Sequence, residues 1–137
     1  MKVKIFLPAL ICISFFSCFE NDKKLENTAT AVGRDFIRAT LDGNFKDAES
    51  LLIKDSLNVE IFASYKNYYT KLADDKKKGY KNANIIINTM IDVNDSTSII
   101  DYSNSFMNQP QKIKLVKHNT LWVVDFKYTS CDTSISK

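Results

Sequence analysis

Few side chains in this sequence could do chemistry, and their spacing limits what that chemistry could be. There is one histidine, His118, and three cysteines, Cys12, Cys18 and Cys131. A zinc-type centre needs three or four His, Cys or carboxylate ligands. No HExxH, CxxC or glycine-rich phosphate loop occurs, so no metal and no cofactor are expected. Ser/His/Asp catalysis would have to use His118, which ends a strand-like run beside a turn and reads as an exposed residue. Asp101 and Tyr102 are the best acid–phenol pair, but neighbours on a strand point to opposite faces. Tyr102 shares its face with Ile100 and Phe106, which places Tyr102 inside and leaves Asp101 and Asp125 outside. The aromatic residues are more suggestive. Phe36, Tyr65, Tyr69, Tyr102, Trp122 and Phe126 are expected between helix and sheet, as core or as pocket wall. A buried phenol or indole needs a partner for its polar atom, and a ligand can be that partner.

The strongest chemical signal is Cys18. Lys2 and Lys4 precede an uncharged, almost wholly apolar run from Ile5 to Ser17. The run is shorter than the roughly 20 residues a membrane span needs, and it fits the apolar region of a secretory signal. Phe15-Phe16-Ser17-Cys18 resembles a bacterial lipobox, with Phe15 and Phe16 in place of the usual leucine and small residue. Such loose boxes are common in lipoproteins of the Bacteroidota type. The resemblance implies that residues 1–17 are removed as a signal peptide and that Cys18 carries the lipid. Each buried methylene of the acyl chains then contributes about 0.8 kcal/mol to membrane anchoring. Residues 18–27 form the lipidated terminus and its tether. Phe19 is not the inner-membrane retention signal, and Glu20 and Asp22 faintly resemble acidic export signals. The expectation is an outer-membrane lipoprotein of the cell envelope, on either face. Cleavage discards Cys12 and lipid consumes Cys18, so only Cys131 remains and no intramolecular disulfide is possible. The formal charge of +3 loses two lysines with the leader, which leaves no basic footprint for nucleic acid.

The remaining chain must supply the scaffold. Residues 28–42 read as a helix with Val32, Phe36, Ile37 and Thr40/Leu41 on one face, Thr28 near its start and Gly43 at its end. Asn44 caps a second, short helix with Phe45, Ala48 and Leu51/Leu52 buried. A third helix covers about residues 57–76, with Leu57, Ile61, Tyr65, Tyr68/Tyr69 and Leu72 as its stripe and Gly79 as terminator. After Gly79 the period changes to two. Strands are predicted over 81–93, 96–106, 111–118 and 121–128, separated by Asn94-Asp95, Asn108-Gln109-Pro110 and Asn119-Thr120. In the first, Ile85, Ile87, Thr89, Ile91 and Val93 share a face; in the last, Trp122, Val124, Phe126 and Tyr128 do. Helices followed by a four-stranded antiparallel meander make an α+β domain over 28–128, with a tail at 129–137.

These residues resemble a family. Phe36, Gly43, Phe45 and Ala48 match its opening helix-turn-helix pattern. Lys114, Leu115, Val116, Lys117 and Trp122 match its closing hairpin, with Asn119-Thr120 where the family commonly has glycine. The family is the uncharacterised bacterial lipoprotein domain of the nuclear transport factor 2-like, or cystatin-like, superfamily. The resemblance implies N-terminal helices packed on a curved four-stranded sheet, a cone with a pocket. That fold hosts enzymes and non-enzymes alike. The expected role is a lipid-anchored, non-catalytic module that binds a small apolar ligand or a protein partner. The alternative is a small-pocket enzyme of isomerase or hydrolase type. Ile85, Ile87, Ile99 and Val123 could form an outer patch for a homodimer through the sheet. Asp55-Ser56-Leu57 and Asp95-Ser96-Thr97, both expected in loops, resemble the O-glycosylation acceptors of Bacteroidota.

Overall fold

The structure, a computed structural model, describes residues 27–132, with side chains described as far as Thr129. The leader, Cys18, nearly all of the tether and the Cys131 side chain lie outside the described residues. The elements are α1 (Ala29–Asp42), α2 (Phe45–Ser50), α3 (Ser56–Thr70), α4 (Asp74–Lys81), β1 (Ile85–Asn94), β2 (Thr97–Asn104), β3 (Gln111–His118), β4 (Leu121–Asp125) and α5 (Phe126–Asp132). The fold is α+β, with four helices preceding an antiparallel sheet of order β1-β2-β3-β4.

Local chemistry explains most boundaries. The Thr28 hydroxyl accepts from the Ala31 N–H and starts α1. Gly43 ends it at φ 72°, where a side chain would be strained. The Asn44 and Gly43 N–H groups donate back to the Ala39 and Thr40 carbonyls, a Schellman closure. Asn44 then caps α2 by accepting from the Asp47 N–H, and Asp55 caps α3 by accepting from the Asn58 N–H.

α1 lies on the inner face of the sheet and buries Val32, Phe36 and Ile37 against Ile100, Ile113, Leu115 and Val124. Gly33 allows that approach: a Cβ there would lie 2.5 Å from the Ile100 Cδ1. Residues 51–53 cover the edge of β4, with the Ile53 N–H donating to the Val124 carbonyl and the Val124 N–H to the Leu51 carbonyl. That pairing covers the β4 edge at Val124.

Five features differ from the sequence expectations. First, the helix expected over 57–76 is two helices, broken at Lys71–Ala73. Gly79 lies inside α4, where a Cβ would lie 2.3 Å from the Phe106 ring; the glycine makes room for that ring. α4 is fastened by Arg38, whose guanidinium donates to the Tyr80 and Lys81 carbonyls in its last turn and to the Ala83 carbonyl just beyond it. Second, the buried stripe of α3 is Asn58, Phe62 and Tyr69, while Leu57 and Tyr68 are exposed. Third, β1 carries a bulge between Ile87 and Thr89, so its faces exchange there. Ile85 and Ile87 pack against the core, whereas Ile91, paired with Ile99, faces outward. Ile85 and Ile87 therefore cannot join an outer patch; Ile91, Leu121 and Ile86 are exposed on that side, beside the half-buried Ile99 and Val123. Fourth, the strand expected over 121–128 ends at Asp125 and the chain turns into α5, so the supposed tail begins inside a helix. Fifth, Ser56 is the first residue of α3 and not a loop residue, although it is exposed; Ser96 does lie in the β1–β2 turn.

Candidate functional site

Between α1, α3, α5 and the inner face of the sheet is a cavity of about 790 Å³. Five of the six tyrosines line it: Tyr65, Tyr68, Tyr69, Tyr80 and Tyr102. The position of each follows from its element. β2 alternates, so Tyr102 points inward with Ile100 while Asp101 turns away. α3 presents Tyr65 and Tyr69 one turn apart on the side that meets α1 and α5. α1 adds Phe36 and Thr40 near its C-terminus, and α5 adds Phe126 and Thr129. The loop after β2 is shaped by Asn104, buried, whose Oδ1 accepts from the Phe106 and Met107 N–H groups at 3.1 and 2.9 Å.

Of the aromatic residues singled out from sequence, Phe36, Tyr65, Tyr69, Tyr102 and Phe126 line this cavity. Trp122 does not. It shares the inner face of β4 with Val124, but it pairs with Lys117 at the far end of the strand. There its ring lies 5.1 Å from the Lys117 ammonium and its backbone N–H donates to Asn27. Four residues of strand span about 13 Å, which separates it from the cavity end at Phe126. Sequence reading overlooked Phe62, the hub of the aromatic cluster. Its ring centroid lies 5.3 Å from Phe126 and 6.0 Å from each of Phe36, Phe45 and Tyr65. Its spacing from Asn58 and Tyr69 was the available signal, hidden because Asn58 is polar.

The tyrosines are not equivalent. The Tyr69 hydroxyl donates to the Leu41 carbonyl at 3.0 Å, using an acceptor left free by the end of α1. Its pKa is raised, chiefly by burial and then by the Asp42 charge. Tyr65 lies beside the Thr40 hydroxyl, and burial pushes its phenol well above the usual range. Tyr102, 7% exposed, is shifted in the same direction by burial and by Tyr65. Its hydroxyl makes no hydrogen bond with any described residue. These shifts predict an alkaline titration. A raised tyrosine pKa means that its share of stability is intact below the ordinary value near 10 and is lost as pH rises above it. In the native protein the 295 nm absorbance should show Tyr65 and Tyr102 ionising only together with unfolding. Full ionisation of all six tyrosines at pH 10–11 with the native circular dichroism intact would contradict their burial.

Charge is kept to the rim. Asp101 and Lys112 stand opposite each other in register at the edge of the cavity, on the side away from Tyr102 and Gln111. The Asp101 carboxylate accepts from the Asn88 amide at 2.8 Å. Asp125 lies on the same outer side, within 3.8 Å of both Lys114 and Lys127. His118 is exposed at the end of β3, opposite Leu121. Among the described residues no three His, Cys, Asp or Glu side chains gather as a metal site. No described helix is long and apolar enough to cross a membrane. The geometry can enclose a drug-sized molecule among aromatic walls; among the described residues it does not bring an acid, a base and a nucleophile together. No family model matches the chain, and neither a curated protein nor a solved structure is found to match it.

Proposed function

We propose that this chain is a lipid-anchored cell-envelope protein that binds a small molecule in the tyrosine-lined cavity without chemically changing it. The observation that carries the reading is the cavity itself, about 790 Å³, walled by Phe36, Tyr65, Tyr102 and Phe126. A domain of this size normally packs its aromatics against one another and leaves few voids larger than a water molecule. Maintaining such a volume forgoes packing energy, which a bound molecule would restore. The absence of a catalytic grouping among the lining residues favours binding over turnover. The helix-on-sheet arrangement around the cavity is in keeping with membership of the nuclear transport factor 2-like superfamily, which we also propose.

Ser64 offers a test at the mouth. It is exposed on α3 and lines the cavity, so a tryptophan there would fill the entrance without entering the core. An apolar fluorescent probe should bind the unaltered protein saturably and bind Ser64→Trp at least about tenfold more weakly, a loss of about 1.4 kcal/mol. Unchanged affinity would place the probe elsewhere and overturn the reading. The anchor rests on Cys18, the preceding leader and the polar tether. Cys18→Ala should move the protein from the membrane fraction to the soluble fraction and abolish incorporation of labelled palmitate. Retention of both would contradict lipidation at that residue.

A further inference from the structure

The cavity wall also specifies what kind of molecule it suits, provided that it is a binding site as proposed above. Among its described lining residues only Asp101 and Lys112 carry charge, and strand alternation turns both away from the interior. Nothing inside would neutralise an ionic ligand, and an unpaired ion in an apolar site costs several kcal/mol. The raised pKa values of Tyr65 and Tyr102 report the same property, since both arise chiefly from burial that disfavours charge.

Polar groups inside are left without a protein partner. Tyr69 spends its hydroxyl on Leu41, but the Tyr102 hydroxyl has no partner among the described residues although the residue is 7% exposed. A phenol in a mostly buried residue ordinarily finds one, and this hydroxyl, not itself sealed off, is open to the cavity. Thr129, which lines the same cavity from α5, also has its Oγ1 buried without a partner. We infer that the cavity takes an uncharged, mainly aromatic or aliphatic molecule with one hydrogen-bond acceptor, which the Tyr102 hydroxyl meets as donor.

Two matched pairs of probes test this on the full chain carrying Cys18→Ala, so that no acyl chain competes. N-phenylnaphthylamine and anilinonaphthalenesulfonate differ by one sulfonate. The neutral probe should bind saturably and the anionic one at least tenfold more weakly. Equal affinity, with both lost in Ser64→Trp, would overturn the inference while leaving the cavity as a binding site. Failure of both probes would instead remove the reading on which it rests. Acetylnaphthalene and isopropenylnaphthalene, used as competitors, differ in that a carbonyl oxygen, which can only accept, replaces a methylene. Acetylnaphthalene should displace the neutral probe about tenfold better. In Tyr102→Phe that preference should vanish while thermal stability is kept, because the lost hydroxyl had no protein partner. A preference unchanged in Tyr102→Phe, or a marked loss of stability in it, would overturn the assignment of Tyr102 as donor.

Discussion

Replacing Phe62 by alanine should remove about 4 kcal/mol of folding stability, the range found when a fully buried phenylalanine is truncated. Phe62 is 1% exposed and touches rings from three other elements: Phe36 on α1, Phe45 at the start of α2 and Phe126 on α5. Losing it forfeits the burial of the ring and leaves a void that its neighbours, held by their own helices, can only partly fill. Domains of this size have about 5–15 kcal/mol to lose, so the variant should unfold at much lower urea. The urea midpoint should fall while its slope stays constant. A cost below about 1.5 kcal/mol would mean that α3 is not packed on α1, α2 and α5 as described.

The second large effect is expected at Asn58, which no apolar residue can replace. Its side chain is fully buried and joins the start of α3 to the β4–α5 junction. The amide donates to Asp55 at 2.9 Å and to Asp125 at 3.4 Å, and its oxygen accepts from the Lys127 N–H at 3.0 Å. Lys127 closes the circuit on Asp55 at 2.7 Å. Asn58→Leu keeps the approximate volume but strands the Lys127 N–H and withdraws a donor from two carboxylates. Each orphaned buried group costs about 1–3 kcal/mol, so a total near 3 kcal/mol is expected. In a domain of about 100 residues that lowers Tm by about 15 °C. An unchanged Tm would show that the network does not hold α5. The same circuit has a pH signature. The hydrogen bond from Lys127, followed by that from the Asn58 N–H, lowers the Asp55 pKa from 3.8 to about 2. A depressed carboxylate contributes stability that is present above its ordinary pKa and lost as pH falls through its folded value. Asp55 therefore adds to acid lability between about pH 4 and 2, and Asp55→Asn should flatten the dependence there.

The strands and their turns were legible because polar and apolar residues alternate and Asn-rich turns punctuate them. What alternation cannot show is an extra residue. The bulge near Asn88 leaves the pattern of β1 unbroken in sequence while exchanging its faces in space, so Ile91 lies outward and Ile87 inward. The end of β4 was hidden for a related reason. Trp122, Val124, Phe126 and Tyr128 continue a period of two, yet Phe126 is also the first residue of α5, and a single apolar position satisfies both readings. In α3 a buried asparagine masked the stripe that Asn58, Phe62, Tyr65 and Tyr69 make. Gly79 looked like a stop signal because glycine often is one; here it serves the close approach of Phe106.

The cavity was legible only in part. Inward-facing aromatics could be named from periodicity, and five of the six named do line it. Trp122 failed because sharing a face is not the same as sharing an end of the sheet. Whether such residues fill a core or wall a cavity depends on the spacing of α1, α3 and α5 above the sheet. The break at Lys71–Ala73 and the Arg38 clamp that fastens α4 to α1 are likewise without a local sequence signature.

The most direct test of the central claim is where an apolar molecule sits when it binds. Isotope-filtered NMR on the full chain carrying Cys18→Ala, saturated with N-phenylnaphthylamine, would show this through contacts between probe and protein protons. The account predicts contacts to Tyr65, Tyr102 and Phe126, and none to the exposed Ile91 and Leu121 on the outer face of the sheet. Contacts confined to Ile91, Leu121 and their neighbours, with the cavity tyrosines unperturbed, would contradict it.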